Sequence, residues 1–531
     1  MAETILYFYV HNSMKTDNII IVGGGSSGWM SAATLLSQFP NKKITLIESP
    51  NIATVGVGES TVGGISSWLE LLGIKDEDFL VHTDATYKLS IEFEDFYRKG
   101  AGKFHYPFGV PYTEGNTASL NDWHMKKMVY PETPVYNYAE CFFPQMALVT
   151  QNKLFKNEDN RLPGFNFLRD TAYQFDATKF GLWLRDNYCL PRGLNHVLAE
   201  VKDVTQNENG IEHLILDDGS LWGADLFLDC TGFRSLLLNQ TLNAPFISYT
   251  DILPNDSAWA THIPYQDKNS ELVTYTKCTA IDHGWVWNIP LWSRIGSGFV
   301  YSGEFITDED ALKEFQEHIG KGDELDYKNI KMRIGIHDRL WVKNVVAIGL
   351  SGGFIEPLES NGLKLTHDSL FNLTRVLQRE TANQWDRDVF NAITKADFRE
   401  FAEFVSMHYA LSHRDDTEYW RTITDRVVSP ELITQMAGPY VTGFVCAVHN
   451  VCRINHHHID GGIHCIGTGM NWWPTDKPSI IYGLCDGSYD FEENFKSSIE
   501  QLDNKTVLWN ALVEDCPTHY QYLKENFYDK V

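Results

Sequence analysis

Residues 18–48 hold one continuous pattern: an apolar β-branched run, a glycine-rich turn, a helical stretch and a second apolar run. Asn18–Val22 (NIIIV) shows no polar alternation, which marks a strand buried on both faces, the habit of parallel sheets. GGGSSGWM follows, then SAATLLSQF at helical spacing, then the strand Lys43–Glu48 (KITLIE). Together they spell a Rossmann-like βαβ unit with Gly23-x-Gly25-x-x-Gly28 at the strand-to-helix turn. The first glycine permits the tight turn, the second lets backbone approach a pyrophosphate, and the third lets helix pack on strand. The helix start, with Gly24, Ser26, Ser27 and Trp29, then offers free N–H groups and a favourable dipole to a diphosphate. Glu48 lies 20 residues after Gly28, where an acidic residue takes ribose hydroxyls, with Ser49 beside it.

Two distant segments select the cofactor. LFLDCTGFRS (226–235) is a strand ending in Cys-Thr-Gly, and VVAIGLSGGFIEPLESNG (345–362) is a strand, a glycine-rich loop and a helix start. FAD monooxygenase-type folds wrap an extended FAD with three such strand-then-glycine segments, and a nicotinamide dehydrogenase does not need the third. The candidate cofactor positions therefore extend to Val201, Gly349, Leu350 and Leu363. Those folds carry Gly-Asp after the last strand, whereas this chain has Gly349-Leu350.

Because these segments are so far apart, the expected α/β fold is interleaved. A three-layer FAD-binding part, drawn from about 14–100, 168–235 and 335–375, shares residues 14–375 with a β-sheet substrate-binding part. Residues 376–531 form a mainly helical, substrate-capping region. Residues 1–13 read as an extension, since Met14 begins MKTDNIIIVGGG. Tyr87–Phe93 alternates apolar with polar side chains, predicting a half-buried strand. Loops and short elements are expected over 100–165, helix over 176–200, and three strands over 201–230 with a turn at Asp218-Gly219. Residues 259–301 read as strand-rich, Trp341–Ile348 as one buried strand, and the chain from 362 onward as helical apart from an irregular stretch at 452–475.

Composition narrows the partners. Lys+Arg is 44 against Asp+Glu 70, a formal charge of −26. Such a surface repels nucleic acid and anionic membranes, and no apolar run approaches the ~18 residues of a membrane span. The nine cysteines form no CxxC, and the first residues show no signal-peptide pattern, so a reduced, cytoplasmic setting is expected. The cluster His456-His457-His458, near His464 and Cys465, has no framing ligand pair, and no metal is assigned. A homo-oligomer is compatible with the sequence.

At this point the chain resembles the flavin-dependent tryptophan halogenases over most of residues 18–425. Gly23–Met30 resembles the family's GGGxxGWM, and Gly56-Val57-Gly58-Glu59-Ser60-Thr61 its GVGEAT flavin loop. Ala85-Thr86-Tyr87-Lys88 is similar to the segment holding the catalytic lysine, Trp285–Pro290 to WxWxIP, and Pro357–Gly362 to PLESTG. His408-Tyr409 and Ser412-x-Arg414-x-Asp416-Thr417-x-x-Trp420 follow the family pattern as well.

The resemblance implies a two-component enzyme, with FADH2 delivered by a separate NAD(P)H-dependent flavin reductase. Reduced FAD, O2 and a halide give hypohalous acid, which is relayed to Lys88 to halogenate an electron-rich aromatic. It implies catalytic roles for Lys88 and Glu359, flavin contacts from Val57, Gly58 and Glu59, and a halide site at the backbone N–H groups of Asn361 and Gly362. Trp285, Trp287 and Pro290 would wall the passage. His105, Phe108, Trp472 and Trp473 are candidates for holding the arene, by stacking where aromatic. Asn361 stands where the family has threonine, a change that bears on the size of the halide site and its halide preference. The region after 430 matches tryptophan-specific members poorly, so the expected substrate is an electron-rich arene of indole or phenol type, with no commitment to tryptophan. An FAD-dependent aromatic hydroxylase and a non-enzymatic flavin-binding scaffold remain open.

Overall fold

The computed structural model describes residues 13–51, 59–112, 120–426, 460–471 and 491–530. Its organising element is a six-stranded sheet. In spatial order the strands are Trp341–Val342, Val345–Ala347, Leu226–Asp229, Asn18–Val22, Lys43–Glu48 and Asn195–Leu198. All neighbours run parallel except the edge pair Trp341–Val342 and Val345–Ala347. Asn18–Val22 explains why such a strand is apolar throughout: Ile19 and Ile21 point into one core, while Ile20 and Val22 point into another on the opposite face. The sheet collects strands from across the first 350 residues, so the fold interleaves.

A seven-stranded, mostly antiparallel sheet carries the second part. Its spatial order is Lys328–Lys331, Ser257–Ile263, Ile295–Tyr301, Gly284–Pro290, Tyr275–Ile281, Ser90–Glu94 and Lys103–Pro107. Three short strands, Glu59–Ser60, Ala172–Phe175 and Thr86–Lys88, form a separate sheet. The helices Gly362–Leu377 and Gln384–Ala410 pack on each other, and Asn383 starts the longer one with a capping box. Among the described residues no helix is long and apolar enough to cross a membrane, and no group of three His, Cys, Asp or Glu is placed to hold a metal. His456–His458 lie outside the described residues.

Four local expectations are corrected. Residues 86–93 are buried on both faces and split into two strands, because the polar side chains enter buried networks instead of water. The helix read over 176–200 ends at Arg192; Asn195–Leu198 is the sixth strand of the parallel sheet, its sheet edge overriding a helix-like pattern. Residues 341–348 are a tight hairpin, turned by Lys343 at φ 53. Residues 460–469, within the expected irregular stretch, form a helix (Asp460–Gly469). Its glycines admit aromatic neighbours: a Cβ on Gly469 would strike the Phe104 ring, and one on Gly462 those of Phe404 and Tyr106.

Candidate active site

The carboxyl end of the parallel sheet opens into a cavity of about 630 Å³, within the range of cofactor sites. Gly23–Ser27, Glu48, Ser49, Val201, Gly349, Leu350 and Leu363 line it. Gly23 sits at φ +113 with its α-carbon against the Cys230 carbonyl, so the turn tolerates no Cβ. Gly28 abuts the Gly23 carbonyl, where a Cβ would lie 1.9 Å away. Gly25 differs: nothing lies within 4 Å of its missing Cβ, which leaves room for a ligand's phosphates beside the helix start. Glu48 is held by His196 Nε2 at 3.0 Å, and His196 packs edge-on against Trp29 with centroids 5.1 Å apart. Trp29 therefore backs the imidazole that holds Glu48 rather than lining the cavity. His196 lies far from Glu48 in sequence and carries no motif, so sequence reasoning missed it. These residues fit an extended dinucleotide. Val57 and Gly58 lie outside the described residues, and the Glu59 backbone pairs with Phe175.

The same cavity runs past Cys278, Trp285, Trp287 and Pro357 to Ser360 and Gly362. At that end stands Lys88, with no solvent exposure. Its Nζ donates to Ser360 Oγ at 2.8 Å and to the Thr61 carbonyl at 3.0 Å, and lies 5.1 Å from the centre of the Phe108 ring. Ser360 thus faces the cavity and grips the lysine at once. Burial brings the Lys88 pKa down to about 7, with Cys278 and Glu359 opposing the fall. Near neutral pH the amine is substantially uncharged, the state a nucleophile needs.

Glu359 is 1% exposed. Burial raises its pKa, with His408 and Lys88 opposing. His408 Nε2 stands 3.1 Å from Glu359 Oε1, yet neither carboxylate oxygen completes a hydrogen bond. His408 Nδ1 faces the Val405 carbonyl at 3.0 Å, a contact that places a proton on Nδ1 and orients Nε2 toward Glu359. The site therefore combines a desolvated amine, a buried carboxyl and an imidazole 3.1 Å behind that carboxyl.

The remaining expected residues are distributed as follows. Trp285 and Trp287 wall the cavity; Pro290 does not, its carbonyl instead accepting from Thr86 Oγ1 at 2.7 Å and so steadying the lysine's strand. Asn361 is buried, with Oδ1 unpartnered and its side chain turned toward the Ile355 carbonyl, while Gly362 opens the helix Gly362–Leu377. His105 is engaged by Ser90 Oγ at 3.1 Å and Glu92 at 3.2 Å, and no contact joins it to Lys88. Trp472 and Trp473 lie outside the described residues.

A glycine-cradled dinucleotide cavity ending at a dry lysine defines the flavin-dependent halogenase class. The comparisons agree. The family described as tryptophan halogenase matches residues 18–440. 7-Chloro-L-tryptophan 6-halogenase KtzR of Kutzneria sp. (strain 744) is 34% identical over 437 residues, 77% of this chain and 82% of the relative. Among solved structures, the VirX1 apo structure is 37% identical with a TM-score of 0.87, covering 97% of this chain and 100% of that one. The tryptophan 6-halogenase SttH of Streptomyces toxytricini is 31% identical with a TM-score of 0.82, covering 96% of this chain and 99% of that one. The chain belongs to the tryptophan halogenase family and is a flavin-dependent halogenase. The hydroxylase and scaffold alternatives give way.

Proposed function

We propose that this enzyme halogenates an electron-rich arene of indole or phenol type, using hypohalous acid received at Lys88. Reduced FAD, when bound, supplies the two electrons that with O2 and a halide yield that oxidant. A separate NAD(P)H-dependent reductase delivers the reduced flavin, since the chain has a single nucleotide fingerprint. The backbone N–H groups at Asn361 and Gly362, where the helix Gly362–Leu377 begins, hold the halide through free donors and a positive dipole end.

Lys88 spends two N–H groups on Ser360 and Thr61, and its remaining position meets the oxidant. Carbon attacks the electrophilic halogen, the C–X bond forms as the X–O bond breaks, and the departing hydroxide ends as water, balanced by the proton that the ring carbon gives up. Glu359 takes the proton lost from the ring carbon, with His408 Nε2 3.1 Å away to orient the carboxyl. Phe108, beneath the ammonium, forms one wall of the arene site. Trp285 and Trp287 hold the arene away from the flavin, so that oxygen transfer to carbon is suppressed.

The observation that carries this reading is Ser360, a residue of the cavity lining whose hydroxyl accepts from Lys88. The test supplies reduced FAD, O2, chloride, bromide or iodide, and a panel of indoles and phenols. Product masses shifted by a halogen support the reading; masses shifted by one oxygen overturn it.

A further inference from the structure

Glu356 is a buried acid that the reaction above does not use. It lies three residues before Glu359, between the short strand Gly353–Phe354 and the turn Pro357–Glu359, with no solvent exposure. Donors from distant parts of the fold converge on its carboxyl. The Tyr409 hydroxyl, on the helix Gln384–Ala410, donates to Oε1, and Asn255 Nδ2 donates to Oε2 at 3.0 Å. Asn255 also donates to the Tyr409 oxygen at 2.8 Å and accepts from the Tyr419 hydroxyl at 2.9 Å, closing the network. Burial raises the Glu356 pKa to about 7, with the hydrogen bonds from Tyr409 and Asn255 opposing the rise, and the Trp285 indole N–H completes no hydrogen bond among the described residues. Trp285 and Trp287, with centroids 6.1 Å apart, wall the cavity, as do Pro357 and Ser360 on the loop that Glu356 begins.

We propose that Glu356 is a positioning residue for halogenation: by tying Tyr409 and Asn255 to the loop it begins, it fixes Pro357 and the Glu359–Ser360 turn against the passage, so that oxidant reaches Lys88 instead of escaping. This rests on the lysine-relay reading above. Both Glu356 oxygens accept, one from an amide N–H and one from a phenol O–H. A glutamine would turn an NH2 toward a donor and loosen the turn.

The experiment uses the full chain with reduced FAD, O2, bromide, indole, and an excess of a β-diketone that captures oxidant released to bulk solution. In Glu356→Gln, FAD affinity and total oxidant formed stay within about two-fold of wild type. The share of oxidant reaching indole falls about ten-fold, because a displaced turn misaligns reacting groups. Tyr409→Phe, which removes one donor and keeps the ring, gives a smaller shift of the same kind and carries the test if Glu356→Gln fails to fold. The double variant is no worse than Glu356→Gln, as expected for one shared contact. An unchanged partition in both variants overturns the proposal, and so does a loss of FAD affinity in proportion to the loss of partition. Unchanged indole bromination in Lys88→Ala would sink the relay reading itself, and this proposal with it.

Discussion

The two ends of the cavity solve opposite problems. At the glycine turn, side chains are withdrawn so that backbone N–H groups meet the ligand: Gly25 has empty space where its Cβ would be. At the lysine, one side chain is driven into the protein and stripped of water, leaving Lys88 with a hydroxyl, a carbonyl and an aromatic face. The first end binds through dipoles whose charge state is fixed. The second works through a group whose charge state the surroundings decide. Binding and chemistry should therefore fail independently when each end is altered.

Lys88→Ala separates them most sharply. Arene halogenation should fall by about 10³-fold or more, while oxidant still forms and is captured by a β-diketone in solution; retained halogenated product would remove the lysine from the reaction. A second measurement concerns stability. The Lys88 pKa is lowered from 10.5 to about 7, so between those values the unfolded chain binds a proton that the folded chain does not, and stability rises with pH across that window. Burying the charged amine costs about 1.4 kcal/mol for each pH unit that separates the two values. Lys88→Met should therefore stabilise the inactive protein by up to about 5 kcal/mol at pH 7 and below, with the gain fading toward pH 10.5. Thermal melts at several pH values would read it; a pH-independent gain would mean that the amine is not desolvated.

At the other end, Gly25→Val should keep the fold and weaken FAD binding by about a hundred-fold, measured by flavin fluorescence titration, because the added methyls fill space meant for phosphate. Gly28→Val should instead prevent folding, since its Cβ meets the Gly23 carbonyl. Smallest of all, Ser360→Ala should lower arene halogenation by about ten-fold and leave FAD affinity unchanged, by deleting one hydrogen bond to Lys88. Equal losses of FAD affinity and turnover there would erase the distinction between the two ends.

The cofactor end was legible because its signal is local: strand, glycine turn, helix and acidic strand end fall within residues 18–48. The lysine end was legible only through family resemblance. Lys88 and Ser360 are 272 residues apart, and nothing in the alternation of residues 87–93 separates a wet strand from a buried polar network. Ser90 and Glu92 looked like a solvated face until His105 and Lys103 were found to occupy them. His196, Asn255 and Glu356 were missed for the same reason: each matters through partners that only the folded chain supplies. The hairpin at 341–347 carried a weak local cue, an asparagine after Lys343, but its apolar flanks read as one run.

Cys230 and Cys278 share the cavity wall with the route proposed for a thiol-destroying oxidant. Burial pushes both thiols up, Cys230 to about 12, so they stay protonated, and it is the thiolate that reacts fast. The dryness that frees the lysine's lone pair passivates the sulfurs beside it: one dielectric arms the amine and disarms its most vulnerable neighbours.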